Sequence, residues 1–393
     1  MYYKSPLTYI IALLFITLFV INFCITEEQQ FVLLAKSFKE GSLAFVNIGE
    51  DISDTAFFNN QYFWPLGPFP AILILPFLFI SNHFFQGFIS FPISALNFFL
   101  LYKFARYLKV NHTKSLLLAT FFIFGSIYTP LAALSASWYF SQVLACTLLI
   151  LALFEFVKYK GYFLTGIFLA LAIATRFTLI FSLPFFIYFC FQQKQKISKL
   201  LKFLLPIITI IIVLGSYNYA RFGSPLEHGY NYQLIPHEPL ARRNIGLFSL
   251  KHIPGNVYYM LFNGPDPVFK NSSHILKFPY ITFDSYGLSI FFLSPILFLL
   301  FRNSLKSKLT KTAFITTLIM LIPLLTYYGI GQVQVGFRYA LDFYPFIFLM
   351  LTEPVQYVKT KTVAILVFWG VFFSILFTFL YWMHIFTLIN QGF

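Results

Sequence analysis

Two adjacent carboxylates, Glu27 and Glu28, follow directly on an apolar run at Leu7–Cys24. A carboxylate held at a membrane surface by the end of a rigid helix is partly desolvated, which suits a general base. Glu40, Glu50, Asp51 and Asp54 complete a set of six of the chain's 13 acidic residues within this first loop. Acidic residues also simply mark an outer interface, and composition leaves both readings open. The cations are more dispersed. Arg176 stands in Ala174-Thr175-Arg176-Phe177; Arg221 and Glu227 flank a turn at Gly223–Pro225, ahead of Gly229-Tyr230; Arg338-Tyr339 precede Asp342. An arginine at membrane depth is costly and a functional candidate, and its planar fork suits a phosphate. Each also has a structural reading: Arg176 snorkels to the interface, Arg221 and Glu227 brace a loop, and Arg338 and Asp342, on one helix face, neutralise one another. His228, His237, His252 and His274 are scattered without metal-ligand spacing, and no nucleotide-binding glycine loop occurs.

What must position these groups is a membrane protein. Of 393 residues 59% are hydrophobic and 10% charged, with mean hydropathy +0.77, too little polar surface for a water-soluble globule. Apolar runs recur throughout, as at Phe203–Tyr217, Thr312–Tyr328 and Thr362–Tyr381. Leu7–Cys24 has no small-residue cleavage site and reads as a retained first helix, with a signal peptide as the minor alternative. Cys24, Cys146 and Cys190 lie in apolar segments and suggest no disulfide or metal framework. The net charge of +14 fits basic loops facing an anionic leaflet and gives no reason to invoke nucleic acid. Those loops are Lys103–Lys114, Lys158–Lys160, Lys194–Lys202, Arg302–Lys311 and Lys359–Lys361; with Lys4 they hold 17 of the 27 basic residues and belong on the cytoplasmic side.

Loops 26–65 and 220–285 then fall outside. Parity turns the proline-rich stretch Leu66–Ile80 into a helix lying in the outer interface, and it splits Gly161–Phe191 into a hairpin with Arg176 at its outer tip. The expectation is an all-α, single-domain membrane bundle of about eleven spans, with juxtamembrane helices in the first outer loop. Asn271-Ser272-Ser273 is a glycosylation sequon on the outer side.

The order of residues adds a resemblance. Thr26-Glu27-Glu28-Gln29-Gln30-Phe31, then Glu40-Gly41-Ser42-Leu43, Asp54, and Asn60-Gln61-Tyr62-Phe63-Trp64-Pro65-Leu66-Gly67-Pro68 resemble the first outer loop of polytopic GT-C glycosyltransferases, the superfamily of the protein O-mannosyltransferases and the bacterial aminoarabinose transferase. That resemblance extends in scattered motifs over about half the chain: Gly166 with Arg176, Arg221-Phe222-Gly223-Ser224-Pro225-Leu226-Glu227, and Gly336-Phe337-Arg338-Tyr339 with Asp342 and Pro345. It puts the family's acidic pair on Glu27 and Glu28, with Glu where Asp is usual. Trp64–Pro68 stands where the family has a Lys-Pro-Pro element, so the cation expected there is missing.

The implied activity is inverting transfer of a sugar from a polyprenyl-phosphate carrier to a lipid, glycan or protein acceptor on the non-cytoplasmic face, in the plasma membrane of a prokaryote. Glu27 with Glu28 would be the base. Arg176, Arg221 or Arg338 would meet the leaving phosphate, while Asp54 and Tyr62 would position the acceptor. Some members need a divalent metal and others do not, so the metal stays open. Three other readings remain. A transporter or flippase would carry ionisable residues across the midplane of several spans. A glycan polymerase or ligase would work through Arg242 and Arg243. A membrane scaffold would leave the acidic cluster without a role.

Overall fold

The computed structural model describes residues 6–24, 29–49, 52–192, 196–235, 237–270, 274–331 and 334–390, the side chains of 237, 238 and 384–390 excepted. Glu27, Glu28, Glu50, Asp51 and the 271–273 sequon lie outside the described residues. Along the chain run α1 (Pro6–Cys24), α2 (Gln30–Lys39), β1 (Ala56–Phe58), β2 (Gln61–Phe63), α3 (Phe69–Leu78), α4 (Gly87–Tyr107), α5 (His112–Phe124), α6 (Tyr128–Leu134), α7 (Ser137–Phe154), α8 (Tyr162–Thr175), α9 (Leu183–Gln192) and α10 (Ile197–Phe222). There follow α11 (His237–Arg243), α12 (Ile253–Leu261), β3 (Asp266–Phe269), β4 (Leu276–Thr282), α13 (Ile290–Leu293), α14 (Lys308–Thr326), α15 (Tyr344–Leu351), α16 (Pro354–Tyr357) and α17 (Thr360–Asn390). Helix dominates because apolar segments without water must satisfy their backbone groups internally.

Among the described residues six helices are long and apolar enough to cross a membrane: α1, α4, α7 with its continuation to Tyr159, α10, α14 and α17. The pair α5 and α6, bent by 54° at its junction, makes a seventh if read as one span. Helix length and composition therefore do not yield eleven crossings. The four remaining expected segments are helical but short or irregular. α8 has 14 residues; Phe177–Ser182 and Pro295–Arg302 are 3-10 turns joined to α9 and α13; the 3-10 turn Arg338–Asp342 leads into α15. A straight crossing takes about 20 residues, and 3-10 pieces with prolines at 295 and 345 interrupt these segments first. The stretch expected at the outer interface holds α3, whose 10 residues rise roughly 15 Å, too short to span.

The chain is also not wholly α-helical. β1 and β2 pair antiparallel, Ala56 opposite Phe63, and β3 pairs with β4, Asp266 opposite Thr282. The β1–β2 turn is Asn59-Asn60, both with positive φ (48° and 59°), the two-residue geometry that matches strand twist and that Asn tolerates.

Two compact units divide the residues. Unit 2 comprises 16–100 and 134–244. At its centre α7 is buried over 83% of its span and packs on α8, which packs on α10. Gly166 makes the α8–α10 approach possible, since a Cβ there would collide with the Phe203 carbonyl. The outward face of α10 is apolar and open, Ile212 being 64% exposed, which water would penalise and lipid would not. Asn97 of α4 donates to Thr147 of α7 at 2.8 Å, a polar link of the kind worth about 0.6 kcal/mol between helices in lipid.

Unit 1 comprises 1–15, 101–133 and 245–393. In it α5 meets α17 where Gly370 sits against the backbone of Gly125. The break after α5 leaves carbonyls without helical donors, and serines supply them: Ser294 donates to Gly125 O (2.9 Å) and Ser374 to Ser126 O (3.3 Å).

Candidate functional site

The chain enters and leaves the Glu27–Glu28 segment at points held by one buried network in unit 2. On the α1 side Asn22 Nδ2 donates to Ser135 Oγ (3.3 Å). On the α2 side the Gln86 backbone N–H donates to Gln29 Oε1 (2.8 Å), and Gln86 Oε1 accepts from the Phe31 N–H (3.2 Å) and Ser137 Oγ (3.0 Å). Gln86 Nε2 closes the set on the Ser135 carbonyl (2.9 Å). Asn22, Gln86, Ser135 and Ser137 are all buried, and Ser135 takes a left-handed conformation (φ 50°) to turn the chain into α7. Sequence reasoning missed this set. Its only signal is polar side chains inside apolar runs.

Loop 26–65 is anchored at Trp64. Its ring is buried against Phe31, Phe45 and Trp138, and its carbonyl accepts from Arg221 Nη1 (2.7 Å). Next to it, Gly67 lies against the last turn of α8, where a Cβ would strike the Ala174 carbonyl. The Trp64–Pro68 element and the Arg176 tip are thereby brought together. Arg176 ends α8 in an extended conformation, half-buried, and Phe177 beside it reaches the His228 ring (5.6 Å). We expect Gly67→Ala to cost about 1–3 kcal/mol through the backbone clash, read as a lower thermal unfolding midpoint; an unchanged midpoint would refute the contact.

Arg221 and Glu227 are not the direct brace that their spacing suggests. Arg221, 5% exposed, gives Nη1 to Trp64 O and Nη2 to Asn218 Oδ1 (2.7 Å) and stacks on Tyr217 and Phe222. Glu227 instead accepts from the Gly229 N–H (2.7 Å) and Asn231 Nδ2 (2.6 Å). Two charges six residues apart across a tight turn find nearer partners. Arg221 Nε and the Tyr217 hydroxyl, both buried, have no hydrogen-bond partner among the described residues, so this cation can still take one acceptor oxygen.

Asp54 (φ 61°) sits at the seam between loops 26–65 and 220–285: its N–H donates to Leu234 O (2.8 Å), and Gln233 Nε2 donates to its Oδ1 (3.2 Å). Below the seam Ala44, Ala56, Phe63 and Phe222 form an apolar cluster. Tyr62 packs on Phe57. The Tyr230 carbonyl accepts from Arg243 Nη1 (3.0 Å), which also reaches Gln233 O (2.9 Å). Arg243 Nη1 is thereby committed to backbone carbonyls.

Burial pushes the His228 imidazole below its ordinary value; Glu227 and the Leu226 backbone oppose this and Arg221 adds to it. The unfolded chain then takes the proton first, so stability present above the ordinary pKa is lost as pH falls through it. We expect the unfolding midpoint to drop between about pH 7 and pH 5, and His228→Phe to flatten that dependence.

Arg338, Tyr339 and Asp342 belong to unit 1. They form a 3-10 turn, not the α-helix assumed for them. At three residues per turn, positions 338 and 342 lie about 120° apart around the axis, not on one face. The segment is held by a Leu288–Gly336 bridge, and Gln334, whose Oε1 accepts from the Arg338 N–H (3.4 Å), donates to Tyr286 O (2.7 Å). Asp342 is buried, and Arg338 lies over the Tyr339 ring (5.3 Å).

Among the described residues no three His, Cys, Asp or Glu side chains gather to hold a metal ion. Comparison of the chain with protein-family models, curated proteins and solved structures gave no match.

Proposed function

We propose that the chain is a membrane glycosyltransferase that moves a sugar from a polyprenyl-phosphate donor to a lipid, glycan or protein acceptor at the outer face of a prokaryotic plasma membrane. The observation that carries this reading is the Gln86–Ser135–Ser137 network, which holds both flanks of an acidic pair at the end of the first span. A general base needs a fixed approach to its proton, and hydrogen bonds that hold the chain at Asn22 and at Gln29–Phe31 support that role.

In the reaction Glu27, with Glu28, takes the proton of the acceptor hydroxyl. The hydroxyl oxygen bonds to the anomeric carbon from the face opposite the phosphate. The carbon–oxygen bond to the phosphate breaks, and the electron pair leaves on polyprenyl phosphate. Arg176 at the hairpin tip, or the spare donor of Arg221, offsets the charge that develops there. Asp54 and Tyr62, at and beside the loop seam, orient the acceptor. The scheme needs the cytoplasmic side to be the basic one, with the short and broken helices completing eleven crossings in a single domain.

The bend between α5 and α6 favours the transport reading, because broken helices line substrate paths in transporters. The Gly125 and Ser126 carbonyls at that bend already accept serine hydroxyls, so an ion would have to displace both. The deciding assay incubates the purified chain with a panel of radiolabelled polyprenyl-phosphate sugars and membrane-lipid acceptors. A labelled glycoside with released polyprenyl phosphate supports the transferase. Uptake of donor into proteoliposomes without glycoside overturns it.

A further inference from the structure

Unit 1 carries a second polar site, remote in sequence from Glu27. A cavity of about 570 Å³ is lined by Arg302, Ser304, Lys306, Ser307, Thr310 and Glu353. Three segments build it. Asn303 Nδ2 donates to Met350 O (2.7 Å), Lys114 Nζ to Gln356 O (3.0 Å), and Ser307 caps α14 by accepting from the Leu309 N–H (3.2 Å). Glu353 accepts from two neutral donors, Ser304 Oγ on one carboxylate oxygen (2.6 Å) and Thr310 Oγ1 on the other (3.0 Å).

Arg302 and Lys306 are left without an acceptor, carboxylate or ring partner among the described residues. A cleft in which two unpaired cations outnumber one carboxylate, Glu353, beside a rim of hydroxyls is complementary to a phosphate, which the guanidinium can take through two bonds. Immediately before Arg302, Phe298 and Phe301 are 55% and 76% exposed, and Phe301 stacks with Phe291. Apolar surface of that kind beside a cationic cleft matches an acyl chain below a charged headgroup.

We infer that this cleft binds the phosphate of an anionic phospholipid. The site stands whether or not the chain transfers sugars, because it shares no residue with that machinery. The purified full chain, delipidated in a neutral detergent, is titrated with phosphatidylglycerol, with phosphatidylcholine and with inorganic phosphate, following thermal protection and lipid retention by native mass spectrometry. Arg302→Gln with Lys306→Gln is expected to weaken phosphatidylglycerol binding about tenfold. Lys308→Gln with Lys311→Gln removes the same charge from exposed positions outside the cavity and is expected to change it less than about twofold.

All four positions are exposed, so folding is preserved. Protection by phosphatidylglycerol alone assigns a lipid headgroup. Equal protection by inorganic phosphate, lost in the Arg302/Lys306 variant, assigns the same cleft to a soluble phosphate. Equal losses in both double variants, or protection by phosphatidylcholine to the same degree, overturn the site.

Discussion

If the chain is the transferase proposed above, Glu27→Gln is expected to lower glycosyl transfer by roughly 10²–10⁴-fold and to leave binding of a lipid-linked donor in place. The amide keeps the size and hydrogen-bonding reach of the carboxylate but cannot hold the acceptor's proton. The loss therefore falls on turnover and leaves donor affinity in place. Donor binding is read by equilibrium binding of labelled polyprenyl-phosphate sugar, and turnover by release of polyprenyl phosphate. Full turnover in Glu27→Gln would remove the general base from the scheme. Loss of binding and turnover together would point to a structural role for the acidic pair.

The second large effect is on stability. Arg221→Met should destabilise the chain by about 3–5 kcal/mol, the sum of two hydrogen bonds made by a buried charged group. The Trp64 carbonyl and the Asn218 amide lose their shared donor, and Trp64 is the residue on which Phe31, Phe45 and Trp138 pack. Lysine should not rescue it, since one ammonium on a flexible stem cannot reproduce a planar fork that reaches two acceptors. Thermal unfolding in detergent, with trypsin cleavage in the 220–244 region as a local probe, gives the test. A wild-type midpoint for Arg221→Met would mean that the two loops hold together without it.

Much of the membrane character was legible before any coordinates. Basic clusters and long apolar runs are one-dimensional signals, and α1, α4, α7, α10, α14 and α17 fall where those runs lie. The short proline-rich stretch was also readable, because proline density limits helix length whatever packs around it, and α3 stops at Leu78. The Asn59-Asn60 turn was there to be read as a hairpin and was missed. The irregular segments were not readable. A 3-10 turn at 338–342 and an α-helix there share the same residues, and only the packing of Phe337, Ala340 and Leu341 into the core of unit 1 selects the tighter one.

The acidic pair at 27–28 was a matter of residue type and position, and the sequence by itself determined that carboxylates follow the first apolar run and that arginines punctuate the later loops. Which of those arginines is already committed was decided only by the tertiary structure. Spacing pointed Arg221 at Glu227, six residues away; folding gave it Trp64, 157 positions distant in the chain. Likewise nothing in the sequence ties Asn22 to Ser135 or Phe31 to Gln86. The physical reason is that a hydrogen bond is chosen by proximity and desolvation in three dimensions. Hydropathy and charge act along the chain and can be read there, but the partners of a buried polar group depend on which helices close around it.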